Sequence, residues 1–191
     1  IITIAAEIAA SKGVIVVNSA GNEGGNSWNI ITAPADGPNV IAVGAVNASG
    51  GLVSFSGRGP TADGRIKPDV MAMGTGVYVA VPRTENNYTF VSGTSFSCPL
   101  TAGVVAQIIS AHPQVTPKQM LDVLHATSSR KNSPNNDFGY GIVNAKAAIT
   151  AFGPAFSNVP EVDASQSGVF RITLRVLSRD GLQANSVKAF Y

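Results

Sequence analysis

Val14-Ile15-Val16-Val17-Asn18 is an unbroken apolar, largely β-branched run, and it restricts the fold more than any other stretch of the chain. A run with no polar side to turn toward water reads as a strand covered on both faces, as in a parallel sheet layered between helices. The preceding residues agree. Residues 2–12, rich in Ala and Ile, read as a helix ended by Gly13, which suits the left-handed position after a helix. Helix, glycine and buried strand make half of a βαβ unit. After the polar, Gly-rich loop Ala20–Asn26, the run Asn39-Val40-Ile41-Ala42-Val43-Gly44-Ala45 repeats the strand signal.

Farther on, Pro60, Gly64 and Pro68 punctuate short strands between residues 52 and 91. Ser95 to about Ala111 turns helical and almost wholly apolar, the pattern of a central, buried helix. Thr116-Pro117 opens another helix, with Thr as N-cap and Pro at the first position, running to about Thr127. A short helix spans roughly 144–152. Gly153-Pro154 breaks the pattern. The expected fold class is therefore α/β: three layers with a mostly parallel sheet over residues 1–152. Residues 153–168 read as a linker. Residues 169–191 read as the start of a truncated Ig-like β-sandwich, because two strands cannot bury a core alone. Both ends, Ile1 and Tyr191, read as cuts through a longer polypeptide.

Of 191 residues, 45% are apolar and 13% charged, so the chain can build a core and does not read as disordered. The formal net charge of +2 is too weak and dispersed to point to nucleic acid or a membrane surface. No run of 18 apolar residues suggests a membrane span. A single cysteine, Cys98, excludes an intrachain disulfide.

The segment that carries chemistry is Ser92-Gly93-Thr94-Ser95-Phe96-Ser97-Cys98-Pro99. It sets a serine after a glycine at the mouth of a long helix, where free N–H groups and the positive dipole end gather. An oxyanion forming at Ser95 would meet the Ser95 N–H. Serine is also a preferred N-cap, and from this local pattern a nucleophile and a simple cap fit equally well.

Gly93-Thr94-Ser95-Phe96-Ser97-Cys98-Pro99 resembles the G-T-S-x-x-x-P motif around the nucleophile of the subtilisin-like serine proteases, the subtilases. Ser19-Ala20-Gly21-Asn22-Glu23-Gly24 is similar to the family's A-A-G-N-E-G. Ala33-Pro34-Ala35 with Val40–Ala45, Phe55–Pro60, Lys67–Gly74 and Gly139–Ala145 look like further family segments in the family's order, over roughly residues 10–150. Ordered matches at the right spacing are far more specific than one short motif. Leu100-Thr101-Ala102-Gly103 departs from the usual His-Val-Ala-Gly, but that histidine is not a triad member.

The resemblance implies an endopeptidase acting on polypeptide substrates. Ser95 would be the nucleophile and Asn22 the oxyanion donor, with Thr94 assisting through its hydroxyl. Ser19, Ala20, Gly21, Ala33, Pro34 and Ala35 would wall the S1 pocket, and Gly93 and Thr94 would lie against substrate. Residues around Tyr88–Ser92 and Gly50–Ser54 are further lining candidates. The family order Asp, His, Ser sets the Asp and His motifs upstream of the 14–18 strand. The implied partner is thus the missing N-terminal half of the catalytic domain. The alternative is a catalytically incomplete half-domain, a structural or dimerising piece whose open sheet edge favours self-association. Location would be secreted or cell surface. No cofactor is expected. Calcium is common in the family, but no Asp-rich loop is visible.

The two histidines, His112 and His125, follow Ser95 and receive no role from the resemblance. An α/β-hydrolase order Ser95, Asp122, His125 fails on the motif, whose fifth residue is Ser97 rather than Gly, and on putting Asp122 and His125 in one helix. Cys98 reads as a small buried hydrophobe, and Trp28 as packing or a substrate-site wall, with packing favoured. Asn47-Ala48-Ser49 and Asn87-Tyr88-Thr89 match a glycosylation sequon that recurs by chance.

Overall fold

The computed structural model describes residues 1–156, 161–164, 170–173 and 175–183. Strands β1 (Val16–Ser19), β2 (Val40–Val46) and β3 (Val70–Met73) form a parallel sheet in sequence order, with Val16 beside Val40 and Val43 beside Val70. All seven residues of β2 are buried, as its continuous apolar run requires. All four of β1 are only half-buried, because β1 is the edge of the described sheet.

Four helices accompany the sheet. Helix α1 (Ile2–Ser11) lies against β1 and β2, and Gly13 follows it at φ +91°, the left-handed conformation expected of a terminating glycine. Helix α2 (Thr94–Ala111) crosses all three strands. Helix α3 (Pro117–Thr127) starts with a full capping box, in which Thr116 and Gln119 exchange hydrogen bonds. Helix α4 (Ala145–Ala151) is capped by the Asn144 side chain and packs on α2 and α3.

One core cluster joins Ile41 and Val43 to Val70, Val105, Ile108, Met120 and Leu124. The alternate position Ala42 joins Ala20, Ile31 and Ala35 in a second cluster, so β2 is covered on both sides. The expectation that α2 is buried on most faces is corrected. It buries one stripe, Thr94, Ser97, Thr101, Val105 and Ile108, at helical spacing. Leu100, Gly103, Ala106 and Ile109 are exposed. Among the described residues, α2 is the one helix long and apolar enough to cross a membrane, yet it docks along the sheet as a core helix does.

A hairpin of β4 (Val77–Ala80) and β5 (Tyr88–Val91) joins β3 to α2. After α4, β6 (Ala155–Phe156) pairs antiparallel with β9 (Val176–Leu177), and β7 (Glu161–Ala164) with β8 (Phe170–Thr173). Two of these short strands fall inside 153–168, where connecting chain was expected. The end of the expected β-sandwich segment, residues 184–191, lies outside the described residues.

A buried polar hub ties the layers together. Lys67 Nζ donates to Asp69 Oδ2 at 2.5 Å and to the Val40 carbonyl at 2.6 Å. Asp69 Oδ2 also accepts the Ala42 N–H at 2.7 Å, and Oδ1 lies 3.0 Å from His125 Nε2 on α3. Lys67 and Asp69 are each 2% exposed, so the carboxylate is satisfied from several sides, as a buried charge must be.

Candidate active site

The carboxyl ends of the three parallel strands converge on the candidate site, the usual place for chemistry in an open α/β sheet. β1 ends at Ser19 and opens into the loop that bears Asn22. Four backbone hydrogen bonds pin this loop. Ala20 N–H donates to Val43 O at 2.9 Å, Thr32 N–H to Ala20 O at 3.1 Å, Gly57 N–H to Gly21 O at 2.8 Å and Gly24 N–H to Phe55 O at 3.0 Å. Gly21 takes φ +96° at the bend, a conformation open to glycine at little cost. From β3, Gly74 N–H donates to Val46 O at 2.9 Å, and Gly93 N–H donates to Gly74 O at 2.7 Å. The end of β3 therefore fixes the start of α2.

Gly93 is the N-cap of α2 at φ +148° and has no side chain with which to cap it. Thr94 and Ser95 are its first two residues. Ser95 is exposed at the helix mouth, and its N–H belongs to the first turn, which has no acceptor within the helix. Asn22 reaches this turn from 72 residues away: its Oδ1 accepts the Thr94 N–H at 3.0 Å and the Thr94 hydroxyl at 2.9 Å. The amide orientation follows from chemistry. A backbone N–H can only donate, so the oxygen faces Thr94 and Nδ2, a double donor, is left over.

The expected site residues separate into groups. Asn22, Gly93, Thr94 and Ser95 come together at one helix end. Thr94 is 1% exposed and its hydroxyl proton lies on Asn22, so it orients the carboxamide where direct help to an oxyanion was expected. The segments Ser19–Gly21 and Ala33–Ala35 adjoin through the Thr32–Ala20 bond. Within them Ala20 and Ala35 are fully buried in the second core cluster, Ser19, Gly21 and Pro34 are half-buried and Ala33 is exposed. Trp28, expected as packing, is 70% exposed.

Both histidines are held elsewhere. His112 Nε2 lies 2.9 Å from the Ile149 carbonyl, just past the far end of α2, about 25 Å from Ser95 along the helix axis. It lines a cavity of about 400 Å³ with Phe152 and Gln119. His125 joins the buried hub and stacks on Tyr140 with centroids 3.7 Å apart, while Asp122 pairs with Lys118. An Asp122–His125 dyad serving Ser95 is therefore absent. Among the described residues no His, Cys, Asp and Glu cluster could hold a metal ion. Burial raises the Cys98 thiol pKa above its ordinary value, one turn into α2.

Sequence reasoning missed the supports. Phe55–Gly57 and Gly74 matched family segments without an assigned task, yet their backbones hold both halves of the site. Lys67 and Asp69 flank Pro68 just ahead of a buried strand in a chain with few charges, a signal sufficient to suspect a buried pair.

Comparison with known proteins identifies the family. Residues 2–141 match the model of the subtilase family. The chain is 33% identical over 165 residues to serine protease AprX of Bacillus subtilis (strain 168), covering 76% of this chain and 37% of AprX. It is 38% identical over 141 residues to subtilisin E of the same strain, covering 73% of this chain and 35% of subtilisin E. A solved structure, the self-cleaved protease domain of PatA, superposes with a TM-score of 0.65 at 26% identity, covering 78% of this chain and 54% of that one. The chain thus spans little more than a third of these two curated relatives. With its parallel sheet, its serine at a helix mouth and its matched segments in order, the chain belongs to the subtilase family.

Proposed function

We propose that this chain is the nucleophile-bearing portion of a subtilisin-type endopeptidase, covering residues 1–152, and that a separate β domain begins after the Gly153 break. Ser95 Oγ attacks the scissile carbonyl carbon while a general base takes its proton. The carbonyl oxygen becomes an anion between the Ser95 N–H and Asn22 Nδ2. Collapse expels the amine, which leaves with the proton, and water then hydrolyses the acyl-enzyme. The observation that carries this reading is the double hydrogen bond from Thr94 to Asn22 Oδ1, which leaves a free amide donor beside the helix mouth. Donors fixed before reaction stabilise developing charge with no reorganisation.

The general base comes from outside these residues, since both histidines are occupied elsewhere. The surface supports a covering half. Ile2, Ile4 and Ile8 of α1 are each more than half exposed, the outer edge of β1 is unpaired among the described residues, and the apolar back of α2 is open. The activity is proposed for the completed domain, secreted or at the cell surface. A fluorophosphonate probe tests it. The completed domain should label at Ser95 and this chain alone should not. A completed domain that fails to label, or a Ser95→Ala variant that labels equally, refutes the reading.

A further inference from the structure

His125 has two ring nitrogens, and the buried hub uses one of them. Nε2 lies 3.0 Å from Asp69 Oδ1, while Oδ2 of the same carboxylate accepts from Lys67 and the Ala42 N–H. An ionised carboxylate can only accept, so the shared proton sits on Nε2 and Nδ1 carries the lone pair. Among the described residues nothing donates to Nδ1, and it is not sealed from solvent. The ring is held in one plane by Tyr140, whose centroid is 3.7 Å away and whose plane is tilted by 8°. Nδ1 is thus a preformed acceptor without a donor. Its residue lines a cavity of about 310 Å³, and Arg65 lines the same cavity. Arg65 Nε donates to Asp63 Oδ2 at 2.9 Å and Nη2 to the Asp36 carbonyl at 2.7 Å, but Nη1 is buried with no partner. Buried donors are paired in nearly all native structures, so an orphan at a cavity calls for an occupant.

We propose that this cavity binds a small neutral molecule, a flat amide or lactam built on about one ring, which donates a hydrogen bond to His125 Nδ1 and accepts one from Arg65 Nη1. The site stands apart from the protease reading, since none of its lining residues belongs to the mouth of α2. Three properties of the cavity select the class. Its polar groups are one free acceptor and one free donor, so the ligand must offer one of each. Its charges cancel in pairs, Arg65 with Asp63 and Lys67 with Asp69, so neither an anion nor a cation gains by entering. A carboxylate would also set its lone pairs against that of Nδ1. The remaining walls, Pro38, Ile66, Leu121 and the Tyr140 ring, are apolar or aromatic and suit a flat body.

The test is NMR of the full chain with nitrogen-labelled imidazoles, titrated with benzamide. Acetophenone, which lacks the donor, and benzoate, which lacks it and is charged, are the controls. Benzamide should shift His125 Nδ1 and bind at least about fivefold tighter than either control. His125→Phe keeps a ring against Tyr140 but removes Nδ1, and Arg65→Met keeps the stem but removes Nη1. Each should bring benzamide down to the affinity of acetophenone. Unfolding midpoints are measured alongside; Arg65 lies outside the buried hub, so Arg65→Met remains readable if His125→Phe does not fold. Equal binding of benzamide and acetophenone would show that the cavity reads apolar area alone, and overturns the proposal. An unchanged benzamide affinity in Arg65→Met overturns the donor–acceptor assignment. Shifts confined to His112 would place the probe in the other cavity, and no shift of either ring up to the solubility limit of benzamide would show an empty one; both overturn the proposal and leave the protease reading untouched.

Discussion

Two long-range polar contacts define this molecule, and they differ in one respect. At the hub, Asp69 receives hydrogen bonds on both oxygens from Lys67, Ala42 and His125, and the pair is shut away from water. At the helix mouth, Asn22 uses its oxygen on Thr94 and keeps its amide donor. The first contact is saturated and holds layers together. The second is half-used, and the unused half is the donor that the proposed mechanism assigns to the oxyanion. Saturation fits a structural role, and the remaining donor fits the proposed chemistry.

The largest test of that contrast is Ser95→Ala in a completed catalytic domain. Peptide hydrolysis should fall about a million-fold, the loss known for a subtilisin stripped of its serine, with the unfolding midpoint unchanged. Next comes the hub. Asp69→Asn leaves Lys67 buried without its counter-charge and should cost about 3–5 kcal/mol in urea unfolding. The double variant Lys67→Met/Asp69→Asn should recover part of it. Equal instability of the two would mean that His125 and Ala42, and not Lys67, set the value of the hub. Asn22→Ala should lower kcat about 100- to 1,000-fold with little change in KM, following the loss of one oxyanion donor in a subtilisin. Thr94→Val keeps size and burial but removes one of the two hydrogen bonds that hold the carboxamide, and about a tenfold fall in kcat is expected. A fall matching that of Asn22→Ala would show that the threonine does more than orient.

The smallest effect is at the surface. Asp63 takes hydrogen bonds from Arg65 and Thr61, which lower its pKa from 3.8 to about 2. A lowered carboxylate stabilises the fold above its unfolded value, and that contribution is lost as pH falls from about 4 toward about 2. NMR titration should give a midpoint near 2, and Asp63→Asn should erase this part of the acid profile. A midpoint near 3.8 would show that solvent screens the pair completely.

What could be read from the chain follows from the range of each signal. The helix ended by Gly13, the Thr116-Pro117 start and the buried run of β2 are local patterns, and the structure has them within a residue or two. The half-burial of β1 and the open back of α2 were not legible, because apolar sequence says that a surface wants cover, not whether cover is present. Asn22 and Ser95 could be singled out by resemblance. The direction of the Thr94 hydroxyl could not, because it depends on where a loop 72 residues away comes to rest.

That separation has a consequence for the timing of reactivity. Position 22 emerges from the ribosome long before position 94, and neither alone makes a pocket for negative charge. The donor pair exists only after the intervening β2, β3 and hairpin have assembled and brought the two ends together. Under the proposed mechanism, reactivity is a product of folding: a nascent or denatured chain carries its serine harmlessly.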